Sequence, residues 1–285
     1  MPELPEVEIV RQSLNRQVKN RKIISIQVNN RNLRLKVPNN FEQIFKNAVI
    51  KKIQRKSKYL ILVFDNHLYC VIHLGMSGTL HFIGLKKKTT NLSFYGSQSL
   101  PKKHNHIIFR FKNFKLIYND PRRFGFFKIL KNKSEYLRFF TRIGPEAISK
   151  EFNKTYLSKI LKNRTKNIKN LLLDQKLVSG LGNIYVNEIL FQAKINPFKK
   201  SYLINSAENK RIVKYSKIIL KKAIDFGGSS IRDFKGITGK SGNFQSEFKV
   251  YDRTKKRCSR NNCSGQIRRK IISNRSTFIC SVCQK

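Results

Sequence analysis

Four cysteines stand in two close pairs at the end of the chain, Cys258-x4-Cys263 and Cys280-x2-Cys283, with a hairpin-sized stretch between them. Pairs spaced this way can supply four thiolates to a tetrahedral zinc ion. Four thiolates leave no open coordination position, so the predicted role is structural rather than catalytic. Arg268, Arg269, Lys270 and Arg275 lie between the pairs and make the hairpin a cationic finger suited to DNA. The fifth cysteine, Cys70, stands alone far upstream. This clustering favours a metal site in a reducing compartment over a disulfide framework.

The start of the chain, MPELPEVE, carries two prolines and three carboxylates (Glu3, Glu6 and Glu8), although the whole chain has only 16 acidic residues against 60 basic ones. A Met before a small Pro is a start whose Met is commonly trimmed, and trimming exposes Pro2 as a secondary amine. An α-amino group titrates near ~8, against ~10.4 for lysine, so more of it is neutral and nucleophilic at pH 7. Such an amine attacking an anomeric carbon can collapse to an iminium that activates the neighbouring proton for elimination. Glu3 beside it would manage protons on the ring oxygen or the leaving group. On the residues alone, a helix start whose acids suit the dipole explains the cluster better.

Three further stretches suit nucleic acid. GLGNIYVNE (180–188) places two glycines and Asn183 where a helix begins, which reads equally as a phosphate seat and as an ordinary tight turn. HLGMSG (73–78) and DPRRFG (120–125) present Met76 and Phe124 between turn-formers. Both side chains suit wedges between bases, with Arg122 reading a base edge, although spacing alone favours core residues at strand ends. His73, beside the Met76 loop, is placed to contact phosphate. The GKS at 239–241 is no phosphate-loop motif, because Phe234 stands where that motif needs glycine. No histidine has metal-binding helical spacing, and His104 and His106 read as part of a basic loop.

The elements that must position these residues follow from patterning. Leu4, Val7, Val10 and Leu14 mark an amphipathic helix over 4–14. IISIQV, YLILVF, HLYCVIHL, HIIFRF, KLIY and FGFFKIL then read as antiparallel strands of a sandwich or barrel, with a polar, basic loop at 86–105. After Gly144-Pro145 the period turns helical, with Leu157, Ile160 and Leu161 on one helix and Ile168, Leu171 and Leu172 on another. DQKLVSGLGNIYVNEILFQA reads as helix, two tight turns, helix. A Lys-rich helix at 208–226, a Gly-rich loop at 227–243 and the cysteine module complete the chain. The predicted domains are a β-sandwich with flanking helices at 1–143, a helical domain at 144–249 and a finger at 250–285. The fold class is thus α+β and multidomain. A formal net charge of +44 makes a polyanion the first partner to consider, although AT-rich coding would also enrich lysine. No apolar run reaches membrane-spanning length and no signal segment is read, so a cytoplasmic location is expected.

Taken in order, PELPEVE, the RKSKYL lysine, HLGMSG, DPRRFG, LLLDQKLVSGLGNIYVNE, GGSSIRDF and a four-cysteine finger carrying NRSTF resemble the bacterial formamidopyrimidine-DNA glycosylase family, sister to endonuclease VIII. The resemblance spans nearly the entire chain. It implies a helix-two-turn-helix domain, one structural zinc on Cys258, Cys263, Cys280 and Cys283, and a monomer acting on nucleoid DNA. It implies base excision repair of 8-oxoguanine and formamidopyrimidines in duplex DNA, followed by β,δ-elimination at the abasic site. Pro2 would be the Schiff-base nucleophile, Glu3 the acid/base, Glu6 a buried support and Lys58 a group near the damaged nucleotide. Glu8 is read as a helix-face charge. His73, Asn183, Tyr251 and Arg275 would grip phosphates, while Met76, Arg122 and Phe124 would fill the gap left by the flipped base, Arg122 facing the orphaned cytosine. The loop after GGSSIRDF would close over that base. Two positions depart from the family: the x4 spacing of the first cysteine pair, where x2 is usual, and Asn105 in KHNH, where Asp is general. PELPE rather than PEGPE, with the intact Met/Arg/Phe set, favours the oxidised-purine branch. The alternatives are an oxidised-pyrimidine glycosylase and a zinc-ribbon nucleic-acid binder without chemistry.

Overall fold

The computed structural model describes residues 1–84, 89–93, 99–229 and 243–285. They form two compact units: Met1–Thr141 with Phe226–Asn243, and Arg142–Asp225 with Phe244–Lys285.

The first unit opens with helix α1 (Leu4–Val18), strand β1 (Ser25–Val28) and short helix α2 (Phe41–Phe45). Eight strands follow: β2 (Ile50–Lys56), β3 (Tyr59–Phe64), β4 (Tyr69–His73), β5 (Thr79–Ile83), β6 (Thr89–Asn91), β7 (Asn105–Arg110), β8 (Lys115–Asn119) and β9 (Phe126–Leu130). Helix α3 (Lys133–Phe140) comes after them. The strands make two antiparallel sheets, ordered β2-β3-β4-β9 and β1-β7-β8-β5-β6. Inward residues of both sheets share one core with α1 and α2: Leu60, Leu62 and Ile72 from one, Ile107, Phe109 and Leu116 from the other. This is the predicted β-sandwich. Phe41 meets Phe45, Phe109 and Phe127 edge-on, and each wholly buried ring of this kind contributes roughly 1.5–3 kcal/mol.

Several elements differ from the patterning. Helix α1 continues to Val18, whose side chain is fully buried. Strand β2, IKKIQRK, shows little apolar alternation because it sits at a sheet edge with four of its seven residues basic. Strand β5 hides its middle histidine in the core, which breaks the apolar signal. Asn105 and His106 lie not in a loop but at the start of β7, where both are buried.

Two crossovers between the sheets carry Met76 and Phe124. The 74–78 segment leaves β4 and enters β5 in the other sheet, while 120–125 leaves β8 and returns to β9. Strand β4 pairs with β9 and β5 with β8, with His73 opposite Phe126 and Thr79 opposite Asn119. Both crossovers therefore start and finish in register, and topology alone brings them side by side.

The second unit comprises α4 (Lys154–Leu161), α5 (Ile168–Leu173), α6 (Asn183–Gln192), α7 (Ser206–Asp225) and the hairpin β10 (Ile267–Ile272) and β11 (Arg275–Cys280). Asn153 and Asn167 cap α4 and α5 by accepting from Tyr156 N and Asn170 N. Every residue of α6 from Ile184 to Phe191 is buried, so this helix is the axle of the unit. Phe191 packs with Val250, Ile267 and Phe278 in the finger's own small core. Ser273 and Asn274 both have positive φ, which forms the tight turn of the hairpin and delivers Arg275 immediately after it.

Candidate active site and metal centre

The N-terminus is sunk into the first unit. Pro2, Glu3 and Glu6 are buried, as is Lys58, which lies on the two-residue turn between β2 and β3. Ser57 adopts φ +55° to make that turn. Glu6 Oε2 accepts from Glu3 N at 2.9 Å, closing the first turn of α1. Its Oε1 accepts from both Ser229 N and Ser229 Oγ at 2.8 Å. One carboxylate thus ties the backbone beside Pro2 to Ser229 at the start of GGSSIRDF. The remainder of that loop, 230–242, lies outside the described residues, as does the proposed closure over the base.

The α-amino group of Met1 is held below its usual value. Burial is the main cause; Lys58 and Arg122 add repulsion, while Glu3 and Glu6 pull the other way. Trimming would place the Pro2 amine one residue further into the same surroundings.

Glu8 is more than a helix-face charge. Its Oε2 meets Arg55 Nε at 2.9 Å and its Oε1 meets Arg11 NH2 at 2.7 Å. Arg55 NH1 in turn donates to Ser57 O at 3.0 Å, so α1 braces the turn that carries Lys58. Although burial opposes it, the hydrogen bonds and charges of Arg11 and Arg55 hold the Glu8 carboxyl below its usual value.

His73 ends β4 opposite Tyr59, stacked on Phe126 with ring centroids 5.6 Å apart. Burial, with repulsion from Lys58 and Arg34, pushes its pKa down to about 4. The ring is therefore neutral at pH 7, and its Nδ1 accepts from Gly75 N at 3.0 Å. This leaves Nε2 as the N–H donor, so any phosphate contact is a neutral hydrogen bond rather than an ion pair.

Met76 and Phe124 are 46 % and 43 % exposed, so they are not the strand-end core residues that spacing favoured. The Arg122 guanidinium lies 4.6 Å from the centre of the Phe124 ring, and the three side chains share the surface made by the two crossovers. The crossovers touch at the backbone: a Cβ on Gly75 would stand 2.5 Å from Gly125 N and Phe124 C.

In the second unit, Asn183 occupies the first turn of α6 and donates from Nδ2 to Ser276 O at 3.0 Å, next to exposed Arg275. Gln175 fastens the preceding glycine turn by accepting from Gly180 N and donating to Leu181 O. Tyr251 packs its ring edge-on against Phe278 and Phe248. Its backbone N donates to buried Glu188, which also accepts from Lys249 N and Val250 N. Patterning marked neither Glu188 nor Lys169. Lys169, wholly buried, donates to Ser276 O and Thr277 Oγ1 at 2.8 Å beneath Arg275. Lys169 lies off the apolar face that Ile168, Leu171 and Leu172 mark, so the helix period does not single it out.

The four cysteine sulfurs all lie within 4.8 Å of one another and could hold a metal ion. The widened Cys258–Cys263 knuckle has its own use. Arg260, in its middle, donates to Phe191 O and Gln192 O at the C-terminal end of α6 and lies over the Phe191 ring. Asn105, the second departure, accepts from Asn119 Nδ2 through Oδ1 at 2.8 Å, a bond its amide oxygen supplies without a charge.

Among the described residues, no helix is long and apolar enough to cross a membrane. Residues 1–127 match the sequence family described as formamidopyrimidine-DNA glycosylase N-terminal domain, and residues 143–235 match the formamidopyrimidine-DNA glycosylase H2TH domain. The formamidopyrimidine-DNA glycosylase of Wolbachia pipientis subsp. Culex pipiens (strain wPip) is 40 % identical over 286 residues, and that of Roseobacter denitrificans 38 % over 287, with all of both chains covered in each case. Among solved structures, the complex between Lactococcus lactis Fpg and an abasic site containing DNA is similar with TM-score 0.87 and 35 % identity, again over all of both chains. A variant of the same Lactococcus lactis protein with a Fapy-dG containing DNA gives TM-score 0.89 at 34 % identity, also over all of both chains.

Proposed function

The chain belongs to the formamidopyrimidine-DNA glycosylase family, and from that premise we propose how its own residues carry the reaction. The protein is a DNA glycosylase for oxidised purines in base excision repair, with the strand-cleaving lyase step typical of the family. Its partner is duplex DNA bearing damaged bases or abasic sites. The place of action is the nucleoid in the cytoplasm.

After removal of Met1, the Pro2 nitrogen attacks C1′ of the damaged nucleotide. The N–C1′ bond forms as the bond from C1′ to the base breaks, and the base leaves with its electron pair and takes up a proton. Glu3 handles the proton on the opening ring oxygen or the leaving group. Once the Pro2 nitrogen has lost its proton, the C1′–O4′ bond breaks and O4′ takes up a proton, leaving an iminium at C1′. This acidifies the neighbouring C2′ proton, whose loss expels the 3′ phosphate, and a second elimination expels the 5′ phosphate. Lys58, buried beside this site, faces the damaged nucleotide and its phosphate. His73 through Nε2–H, Asn183, Tyr251 and Arg275 grip flanking phosphates, while Met76, Arg122 and Phe124 occupy the gap. The functional division is a catalytic part at 1–143, a helical part at 144–249 and a finger at 250–285.

The four cysteines fit a structural zinc. Four thiolates about 2.3 Å from one ion stand about 3.8 Å apart, and the Cys258–Cys283 and Cys263–Cys280 sulfurs are 3.8 and 3.6 Å apart. Bound there, the metal would stabilise the finger and take no part in the chemistry.

The observation that carries this reading is the convergence of Pro2, Glu3, Glu6 and Lys58 in one buried site. Protein verified by intact mass as lacking Met1 should form a covalent adduct at Pro2 when borohydride is added with 8-oxoguanine duplex. Glu3→Gln should lose base excision. No adduct from trimmed protein would sink the mechanism, and faster turnover of thymine glycol would reassign the substrate to oxidised pyrimidines.

A further inference from the structure

Among the described residues no cation pairs with Asp120, yet its side chain is 0 % exposed. A buried carboxylate is tolerated only when hydrogen bonds replace the water it has lost. Its partners come from both crossovers. Oδ1 accepts from Ser77 Oγ at 2.5 Å, in the 74–78 segment, and from Arg122 N at 3.3 Å. Oδ2 accepts from Gly125 N and from Tyr118 OH, each at 2.9 Å. Ser77 Oγ also accepts from Arg122 N at 3.3 Å, closing a triangle between the loops.

The backbone of Asp120 is held as firmly. Its carbonyl accepts from His106 Nε2 at 2.7 Å and from Arg123 N at 3.2 Å, the latter forming the turn in which Arg123 takes φ +56°. Tyr118 OH, on its way to Asp120, fills the space that a Cβ on Gly78 or Gly125 would need, at 2.5 and 1.8 Å. One glycine belongs to each crossover.

We propose that Asp120 is a positioning residue that fastens the 74–78 and 120–125 crossovers into a single plug, so that Met76, Arg122 and Phe124 enter the duplex as one body. The proposal rests on the gap-filling reading of those three side chains. Asp120 touches neither substrate nor reacting atoms; it fixes the distance and tilt between the Met76 tip and the Arg122–Phe124 tip. Extruding a base from duplex DNA requires the plug, whereas a single-stranded abasic site has no partner base to displace.

Asp120→Asn tests this. An amide has only one acceptor oxygen, so its NH2 group must face either Gly125 N–H or Arg122 N–H, and one backbone link is lost. Loss of one charge-assisted bond should lower single-turnover excision of 8-oxoguanine opposite cytosine by about tenfold or more. Borohydride trapping on a single-stranded abasic oligonucleotide should stay within about twofold of the parent protein. Ser77→Ala, which removes one link and leaves Gly125 N, Arg122 N and Tyr118 OH on the carboxylate, should show the same split at smaller size. It also serves should the Asn variant fail to fold. Equal loss on both substrates, or duplex excision at the parent rate, would overturn the role of Asp120. Met76→Ala and Phe124→Ala run in parallel: if these leave duplex excision intact, it is the gap-filling reading that fails instead.

Discussion

Replacing Glu6 by Gln removes one charge and changes almost no volume, yet it should disable the N-terminus. Among the described residues the carboxylate accepts from Glu3 N at 2.9 Å on one oxygen, and from Ser229 N and Oγ at 2.8 Å on the other. An amide turned with its oxygen toward Ser229 presents its NH2 to Glu3 N–H. Turned the other way, it presents NH2 to Ser229 N–H, and only the Ser229 hydroxyl can rotate to accept. Either way one buried backbone donor faces another donor. A lost bond to a charged acceptor costs about 1.5–3 kcal/mol, which is roughly a ten- to hundredfold loss in any step requiring the aligned terminus. The assay is borohydride trapping under single-turnover conditions on an abasic duplex, using protein of verified mass. Trapping should slow by that factor, while equilibrium binding to the same duplex measured by anisotropy stays within about threefold. Trapping at the parent rate would refute the inference that Glu6 holds the terminus. A parallel collapse of DNA binding would show that the substitution acts through the fold rather than through alignment.

Arg275→Ala should weaken binding to abasic duplex and reduce the dependence of log affinity on log salt by about one unit, without loss of metal. Cys280→Ser should lose both, as read by anisotropy and elemental analysis of the same samples. Lys169 offers a pH test, because burial, reinforced by Arg275, pushes its pKa down to about 7. Between that value and the ~10.4 of an exposed lysine, the unfolded chain binds more protons than the folded one, so the penalty this group imposes on folding shrinks as pH rises from 7 to 10. Urea unfolding at pH 7 and 9 should show the parent protein gaining stability relative to Lys169→Met, and equal slopes for the two would contradict the shift.

What patterning conveyed depended on whether a residue's role was local. The α1 helix, the long apolar strands and the paired cysteines announce themselves through spacing, since periodicity and ligand geometry are written in adjacent residues. Strand β2 was missed because an edge strand with a solvated basic face lacks alternation, and β5 because His81 sits at its centre. Asp120 stands inside DPRRFG, but its partner Ser77 comes from the other crossover, 43 residues away, while Tyr118 sits two residues before it on β8. Glu8 is the same case. Its meaning comes from Arg55, 47 residues away, and hence from the pairing of α1 with β2. Met76 and Phe124 erred in the opposite direction: apolar type argued for burial, whereas the register of β4 with β9 and of β5 with β8 pushes both loop tips outward.

The grip of the finger on α6 makes the cysteine cluster answerable for more than the hairpin. Asn183 in the first turn bonds to Ser276, Asn187 in the middle accepts from Phe278 N, and Glu188 collects the 249–251 backbone. Arg260 closes the last turn. The helix is thus held at four successive points by residues of the finger and of the 249–251 segment that leads into it. Helix and finger should therefore open as one cooperative unit, with the amide protons of Ile184–Phe191 exchanging at the rate at which the finger opens. For a metal held by the four thiolates, affinity and the integrity of the helix that carries Asn183 would be one free energy measured at two places.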